Sequence, residues 1–266
     1  SLACRPRIKM PTSTDLIINA DDLGYSPRVN DAIFDLMEKG LVTSASILAN
    51  APAVEAACAR IPSFPNCSFG VHLNVTEFRP LKGSSDLEPL QEESGDFVKG
   101  RIRRFSIGKS VGQAIFNEYC LQIEKLYALG VNLSHIDSHH YVHSNPGMFG
   151  VLKRVQKRFG LRKVRISRNI YGPEDNSAPH VLALKGVYNF LLRNYYRSET
   201  TSGFTDFATF CRVAKDKKLK RKSIEVHVHP GASAYTDETG LLESDWRDGL
   251  QFPVRLVSRH GAAENS

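Results

Sequence analysis

Short apolar segments and amphipathic segments take turns along this chain, and that alternation limits the folds open to it. Residues 16–20, 43–48, 69–75, 133–137, 164–166 and 224–228 read as strands. Helical patterns lie between them at 27–39, 54–59, 111–129, 148–159, 181–195 and 207–213. The first helix is the clearest: Pro27 suits its opening turn, Val29, Ile33, Phe34 and Met37 make one stripe, and Gly40 stops it. Repeated β-α units predict a parallel sheet with helices outside it. Six or more units in one chain favour a closed or nearly closed barrel over an open sheet. The 266 residues suffice for one large α/β domain, and no composition break or internal repeat marks a second.

Function classes can be narrowed from composition. No apolar run approaches the ~20 residues of a membrane helix, so no membrane partner is expected. The first ten residues carry Arg5, Arg7 and Lys9 without an apolar core behind them, which is not a secretory signal. Cys4, Cys58, Cys67, Cys120 and Cys211 are odd in number and scattered, which fits a reducing cytoplasm and small buried side chains. The net charge of +7 concentrates at 101–109, 153–168 and 212–222. No aromatic interleaving or nucleic-acid motif accompanies it, so nucleic acid is not expected as a partner.

Asp21 and Asp22 follow the first apolar strand directly. A regular strand would send them to opposite faces, and two anions at a strand exit repel each other. A cation against one of them relieves this and leaves the other free to take a proton. Asp also serves turns and helix caps well, so the pair alone admits a bland reading.

The histidines sharpen the case. His135, His139, His140 and His143 crowd one segment, His227 and His229 another, and His72 stands in a third. Each lies in or just past an expected strand, where all could meet at a barrel mouth. Asp22 with His72 and one histidine of the 135–143 segment supplies three ligands and leaves positions open for water and substrate. Four imidazoles in nine residues are costly to bury unless each is paired. Asp137 is a natural partner to fix a histidine tautomer.

The segments Asn19–Gly24, 42–46, 70–76, 135–143 and 225–231 together resemble the YdjC-like carbohydrate deacetylases, in that family's order. The resemblance implies a divergent TIM-like β/α barrel over residues 11–250, with tails at 1–10 and 251–266. It implies metal-dependent removal of N-acetyl groups from sugars such as chitooligosaccharides. Carried over by position, Asp22, His72 and His139 resemble the metal ligands and Asp21 the catalytic base. His229 resembles the histidine that helps the leaving amine, and Arg165 an arginine that orients the aspartate side. His135 and His143 fall to a supporting or pocket role beside Asp137. One divalent ion, Mg²⁺ or Zn²⁺, is expected, with an acetylated amino sugar as partner. A homodimer is suggested by the resemblance alone.

Two departures stand out. After the His-Pro-Gly segment, Trp246-Arg247 fits a helix start, but 251–266 lacks a clear closing strand and Pro253 interrupts its apolar run. An incompletely closed barrel is therefore expected. The stretch 80–104 has no confident counterpart, which leaves substrate choice open. The rival readings are a metal-dependent phosphoesterase on a similar barrel and a carbohydrate-binding protein without turnover.

Overall fold

The computed structural model describes residues 13–104 and 107–262. Cys4 and the expected 1–10 tail lie outside them. Strands β1 (Thr14–Leu23), β2 (Ser44–Ile47), β3 (Ser68–Leu73) and β4 (Ile136–Ser138) form one side of a parallel sheet, and β5 (Gly203–Asp206), β6 (Ser223–Val228) and β7 (Val254–Leu256) the other. The order is β4-β3-β2-β1-β6-β5, with β7 also on β1. Helices α1 (Pro27–Glu38), α2 (Val54–Arg60), α3 (Arg101–Arg104), α4 (Lys109–Ala128), α5 (Phe149–Phe159), α6 (Pro179–Asn194), α7 (Phe207–Asp216) and α8 (Thr236–Glu243) fall between and after the strands. Among the described residues, no helix is long and apolar enough to cross a membrane.

Local chemistry sets these boundaries. Ser26 caps α1 by accepting from the Val29 amide, Pro27 occupies its first turn, and Val29, Ile33, Phe34, Leu36 and Met37 bury one face. Asp206 ends β5 and at once caps α7, accepting from the Thr209 amide at 2.8 Å. The strands β1, β3 and β6 are buried on both faces, as parallel strands covered by helices must be.

The sheet curls into a half-barrel, as the expected nearly closed barrel requires. Its open side, between β4 and β5, is spanned by irregular chain. Val164 meets Ile136 in a single bridge, and Lys163 meets Glu199 in another. The strand expected at 164–166 does not form, because β4 is three residues long and offers too short a ladder to template one. The strand expected at 133–137 begins only at Ile136.

The C-terminal expectations also change. The helix ends at Glu243, before Trp246, which is buried against Phe207 and Phe210 instead of opening a helix. The segment after Pro253 does supply a final strand, though one that leaves the side between β4 and β5 open. β7 pairs with Thr14–Leu16 at the start of β1, on the stretch that β2 leaves free, since β2 pairs only from Asn19 onward.

Candidate metal centre

The first strand ends in an irregularity that decides the site. Asp22 has φ of +68°, a left-handed conformation that Asp tolerates better than most residues. The register of β1 against β2 shifts between Ala20 and Leu23, as at a bulge. The alternation that would separate Asp21 from Asp22 is broken, and both border one cavity of about 450 Å³. His72 from β3, His139 after β4 and His229 after β6 line the same cavity.

Three of these groups converge. Asp22 Oδ1 lies 3.3 Å from His72 Nε2 and 2.8 Å from His139 Nδ1. One donor atom from each falls within 4.8 Å of the others. The outer nitrogens are taken: His72 Nδ1 is 2.7 Å from Asp137 Oδ1, and His139 Nε2 is 2.9 Å from Glu77 Oε2. An ionised carboxylate only accepts, so with neutral imidazoles the outer nitrogens carry the protons. The inner nitrogens then turn lone pairs toward Asp22. Electron pairs facing one another repel unless a cation or a proton sits among them.

Charge agrees with a cation. Asp21, Asp137 and Glu225 contact Arg165, and Glu225 also contacts Arg259. With Asp22 and Glu77 these are five carboxylates against two guanidiniums, a net negative charge when the imidazoles are neutral. A cation offsets part of that excess, and the mixed oxygen–nitrogen donor set suits a divalent metal. When no cation is bound, protons substitute. Burial alone would lower His72, but Asp137 and Asp21 outweigh it and lift its pKa to about 10. His139 also rises, because Asp22 and Glu77 outweigh its burial. Burial would raise Asp22, but the His139 and His72 imidazoles hold it far below the ordinary carboxylate range.

Asp21 stands beside this group. Arg165 donates to it through a fork, Nη1 to Oδ2 at 2.8 Å and Nη2 to Oδ1 at 2.7 Å. Asn19 Nδ2 adds a third bond at 2.8 Å. Burial would raise the Asp21 carboxyl, but Arg165, His72 and His227 overcome it and keep it well below the usual range. Its Oδ2 remains 4.0 Å from His72 Nε2. Arg165 itself is fully buried and is not among the groups that border the cavity. It works through the acids it holds.

His229 does border the cavity. Its ring stacks on Tyr235 with centroids 4.3 Å apart, and its amide donates to Glu238 Oε2 at 2.6 Å. Burial would lower this imidazole, but Glu238, Asp21 and Asp22 outweigh burial and raise it. It keeps a proton to higher pH than a free histidine does.

The family follows from comparison with known proteins. A family model described as "YdjC-like protein" matches residues 15–251. The chain belongs to the YdjC-like family. A carbohydrate deacetylase from Halalkalibacterium halodurans is 34% identical over 253 residues, 94% of this chain and 98% of the relative. One from Brevibacillus brevis is 29% identical over 243 residues, 91% of this chain and 90% of that protein. A third, from Geobacillus stearothermophilus, is 39% identical over 154 residues, 57% of this chain and 60% of the relative. The YdjC-like fold also matches a crystal structure from Enterococcus faecalis V583, of a protein described provisionally as a cellobiose-phosphate cleavage protein. That match has a TM-score of 0.76 at 24% identity and covers 94% of this chain and 100% of the other. It bears on the fold.

Of the other histidines in this YdjC-like chain, His140 borders the cavity, whereas His135 and His143 lie behind it. His135 packs on Gly70, and its Nε2 is 3.2 Å from Ser46 Oγ, which donates to Asp137 Oδ2 at 2.6 Å. His143 Nε2 donates to the Arg165 carbonyl at 3.1 Å, and its Nδ1 is 2.7 Å from Ser138 Oγ. Burial drives its pKa down to about 4, so it is neutral. His143 is not among the groups that border the cavity; it props the backbone of Arg165.

Sequence reasoning passed over several contributors. Glu77 holds His139 and accepts from Tyr25 Oη at 2.6 Å; it lies just beyond the 70–76 motif. Tyr141 hydrogen-bonds His227 Nε2 and separates the cavity from a chamber of about 510 Å³ lined by Arg168, Phe204 and Asp206. It follows His140 in a kink where both have positive φ, +52° and +56°. Tyr141 was visible inside the histidine-rich segment, but nothing in the letters announced the kink.

Proposed function

We propose that this protein is a metal-dependent carbohydrate deacetylase, a hydrolase that removes N-acetyl groups from amino sugars of the chitooligosaccharide type. The observation that carries the reading is the convergence of Asp22 Oδ1, His72 Nε2 and His139 Nδ1 beside an ionised Asp21. Kinship with proteins named carbohydrate deacetylases supports it. A reducing compartment belongs to the same proposal: the four described cysteines are free thiols.

In this reading Asp22, His72 and His139 hold one divalent ion. Two imidazoles favour Zn²⁺ over Mg²⁺, which prefers oxygen ligands. Such an ion, when bound, lowers the pKa of a water from ~15.7 toward ~7 and draws charge from an amide oxygen. Asp21 is the base. It stays ionised at neutral pH, and the Arg165 fork fixes its plane before substrate arrives, so little reorganisation remains at the moment of proton transfer. His229 is the acid. An amine leaves poorly without a proton, and an imidazole whose pKa is raised by Glu238, Asp21 and Asp22 against its burial is suited to supply one as the C–N bond breaks. The cavity between His229 and His139 receives the acetamido group.

A two-metal phosphoesterase would need further ligands. Glu77, His139 and His140 are the next candidate group, but His139 is shared with the first, and Glu77 is engaged by Tyr25 and His139. One ion per chain is therefore expected.

Acetate release from N-acetylglucosamine and its dimer and trimer, measured with and without a chelator beside metal analysis, tests the proposal. Release that stops on chelation and returns with Zn²⁺ or Mg²⁺ is expected. Binding of these sugars without any acetate would sink the hydrolase reading, chelator-resistant release would sink the metal, and two ions per chain would favour the phosphoesterase.

A further inference from the structure

The C-terminal segment reaches into the barrel floor and takes part in the charge arrangement that ends at Asp21. Arg259 is buried, at 3% exposure. Its Nη2 contacts Glu225 Oε2. The other Glu225 oxygen accepts from Arg165 Nε at 2.7 Å, and Arg165 forks onto Asp21. The series Arg259, Glu225, Arg165, Asp21 alternates in sign from the floor of the half-barrel to its mouth. The floor end is well anchored. The Arg259 amide donates to Ser68 Oγ, at the start of β3, at 2.9 Å. Its carbonyl accepts from Lys163 Nζ at 2.7 Å, two residues from Arg165. Val257 continues the pairing of β7 along β1 by donating to the Leu16 carbonyl.

We propose that Arg259 is a positioning residue for the reaction, acting through Glu225 and Arg165 to hold Asp21 in place. The inference rests on the reading of Asp21 as the base. Its physical ground is charge matching. Arg165 alone faces Asp21, Asp137 and Glu225, three carboxylates on one guanidinium. Arg259 supplies the second cation at the Glu225 oxygen that Arg165 does not use. Without it, that oxygen is a buried anion lacking its partner, a costly state. Arg165 then swings toward Glu225 and loosens its fork on Asp21. Removing both members of a buried ion pair costs less than removing one. A positioning role through charge therefore differs from simple packing: neutralising Glu225 as well should repair the loss of Arg259.

The test uses full-length Arg259→Met, Arg259→Lys and the double variant Arg259→Met/Glu225→Gln, each loaded with Zn²⁺. Arg259→Met is expected to lose about 10–100-fold in kcat on the N-acetylglucosamine dimer, the usual scale for groups that orient a site from behind, with KM little changed. The double variant recovers most of that loss, and Arg259→Lys, which keeps the charge, stays close to wild type. A readout independent of turnover is the nitrogen-15 spectrum of the Arg165 guanidinium. Its Nη signals are resolved when the fork holds them, and they collapse in Arg259→Met and return in the double variant.

The proposal is overturned if Arg259→Met keeps wild-type kcat and resolved Arg165 signals, or if the double variant is no better than Arg259→Met. If Arg259→Met does not fold, Arg259→Lys decides: a folded lysine variant with collapsed Arg165 signals ends the proposal. Failure of the deacetylase reading looks different, since the wild-type protein then releases no acetate while the Arg165 signals still report on Arg259.

Discussion

Glu77 Oε2 lies 2.9 Å from His139 Nε2, and that contact selects which nitrogen of His139 faces Asp22. Replacing Glu77 by Gln leaves the side chain's size but weakens the preference for one tautomer. Zn²⁺ affinity, measured by competition with a chromophoric chelator, should fall about 10–100-fold, as for other outer partners of metal-binding histidines. Unchanged affinity would mean that Glu77 only shapes the pocket rim.

The two consecutive aspartates should separate cleanly on substitution. Asp22→Asn removes the single carboxylate of the three-donor group and should leave little metal after dialysis. Asp21→Asn should retain a full ion per chain and lose acetate release by at least about 10²-fold, the size of a missing base. Elemental analysis and acetate assays on the same samples check both. An Asp21→Asn protein with normal turnover would remove Asp21 from the role of base.

His229 should set the alkaline side of the pH–kcat profile. Its pKa is raised in the folded protein because Glu238, Asp21 and Asp22 outweigh burial. The protonated form is therefore complete below the ordinary histidine range and is lost as pH rises through the elevated value. Glu238→Gln should move the alkaline limb to lower pH without moving the acid limb. His229→Ala should remove the limb and cost about 10²–10⁴ in rate. A limb that ignores Glu238→Gln belongs to another group.

Gly70 has no room for a side chain. A Cβ there would overlap the His135 ring, and His135 supports Ser46 beneath Asp137. Gly70→Ala should destabilise the protein by about 1–3 kcal/mol, the usual cost of overpacking a tight core, and should lower the metal affinity through Asp137 and His72. Thermal unfolding with and without Zn²⁺ measures both effects; a wild-type Tm would show that His135 can move aside freely.

Much of the site was legible because its groups fall at the ends of strands that announce themselves. Asp21, Asp22, His72 and His139 close apolar runs in β1 and β3 or directly follow β4, and parallel strands bring such ends to one rim. The rest depends on contacts that no local pattern encodes. β5 escaped notice because it is only four residues long, Gly203–Asp206, with Phe204 and Thr205 set between Gly and Asp, which strands disfavour. β7 hid behind Pro253 and acquires its strand character from β1. Arg259 has no neighbour in sequence that marks it as buried; it follows the end of β7, and its partner Glu225 lies on β6. Arg165 was legible by resemblance, but not that it would be sealed from the cavity.

The left-handed backbone at Asp22 carries a lesson for anyone transplanting this chemistry. Position 22 is screened twice, once for an oxygen ligand and once for tolerance of positive φ, so Glu would satisfy the first demand and offend the second. Copying the two acids onto a regular strand of another scaffold would aim them apart, and the graft would fail with every ligand nominally present. The unit that must travel is the bent strand end, with its companions, as a single piece of geometry.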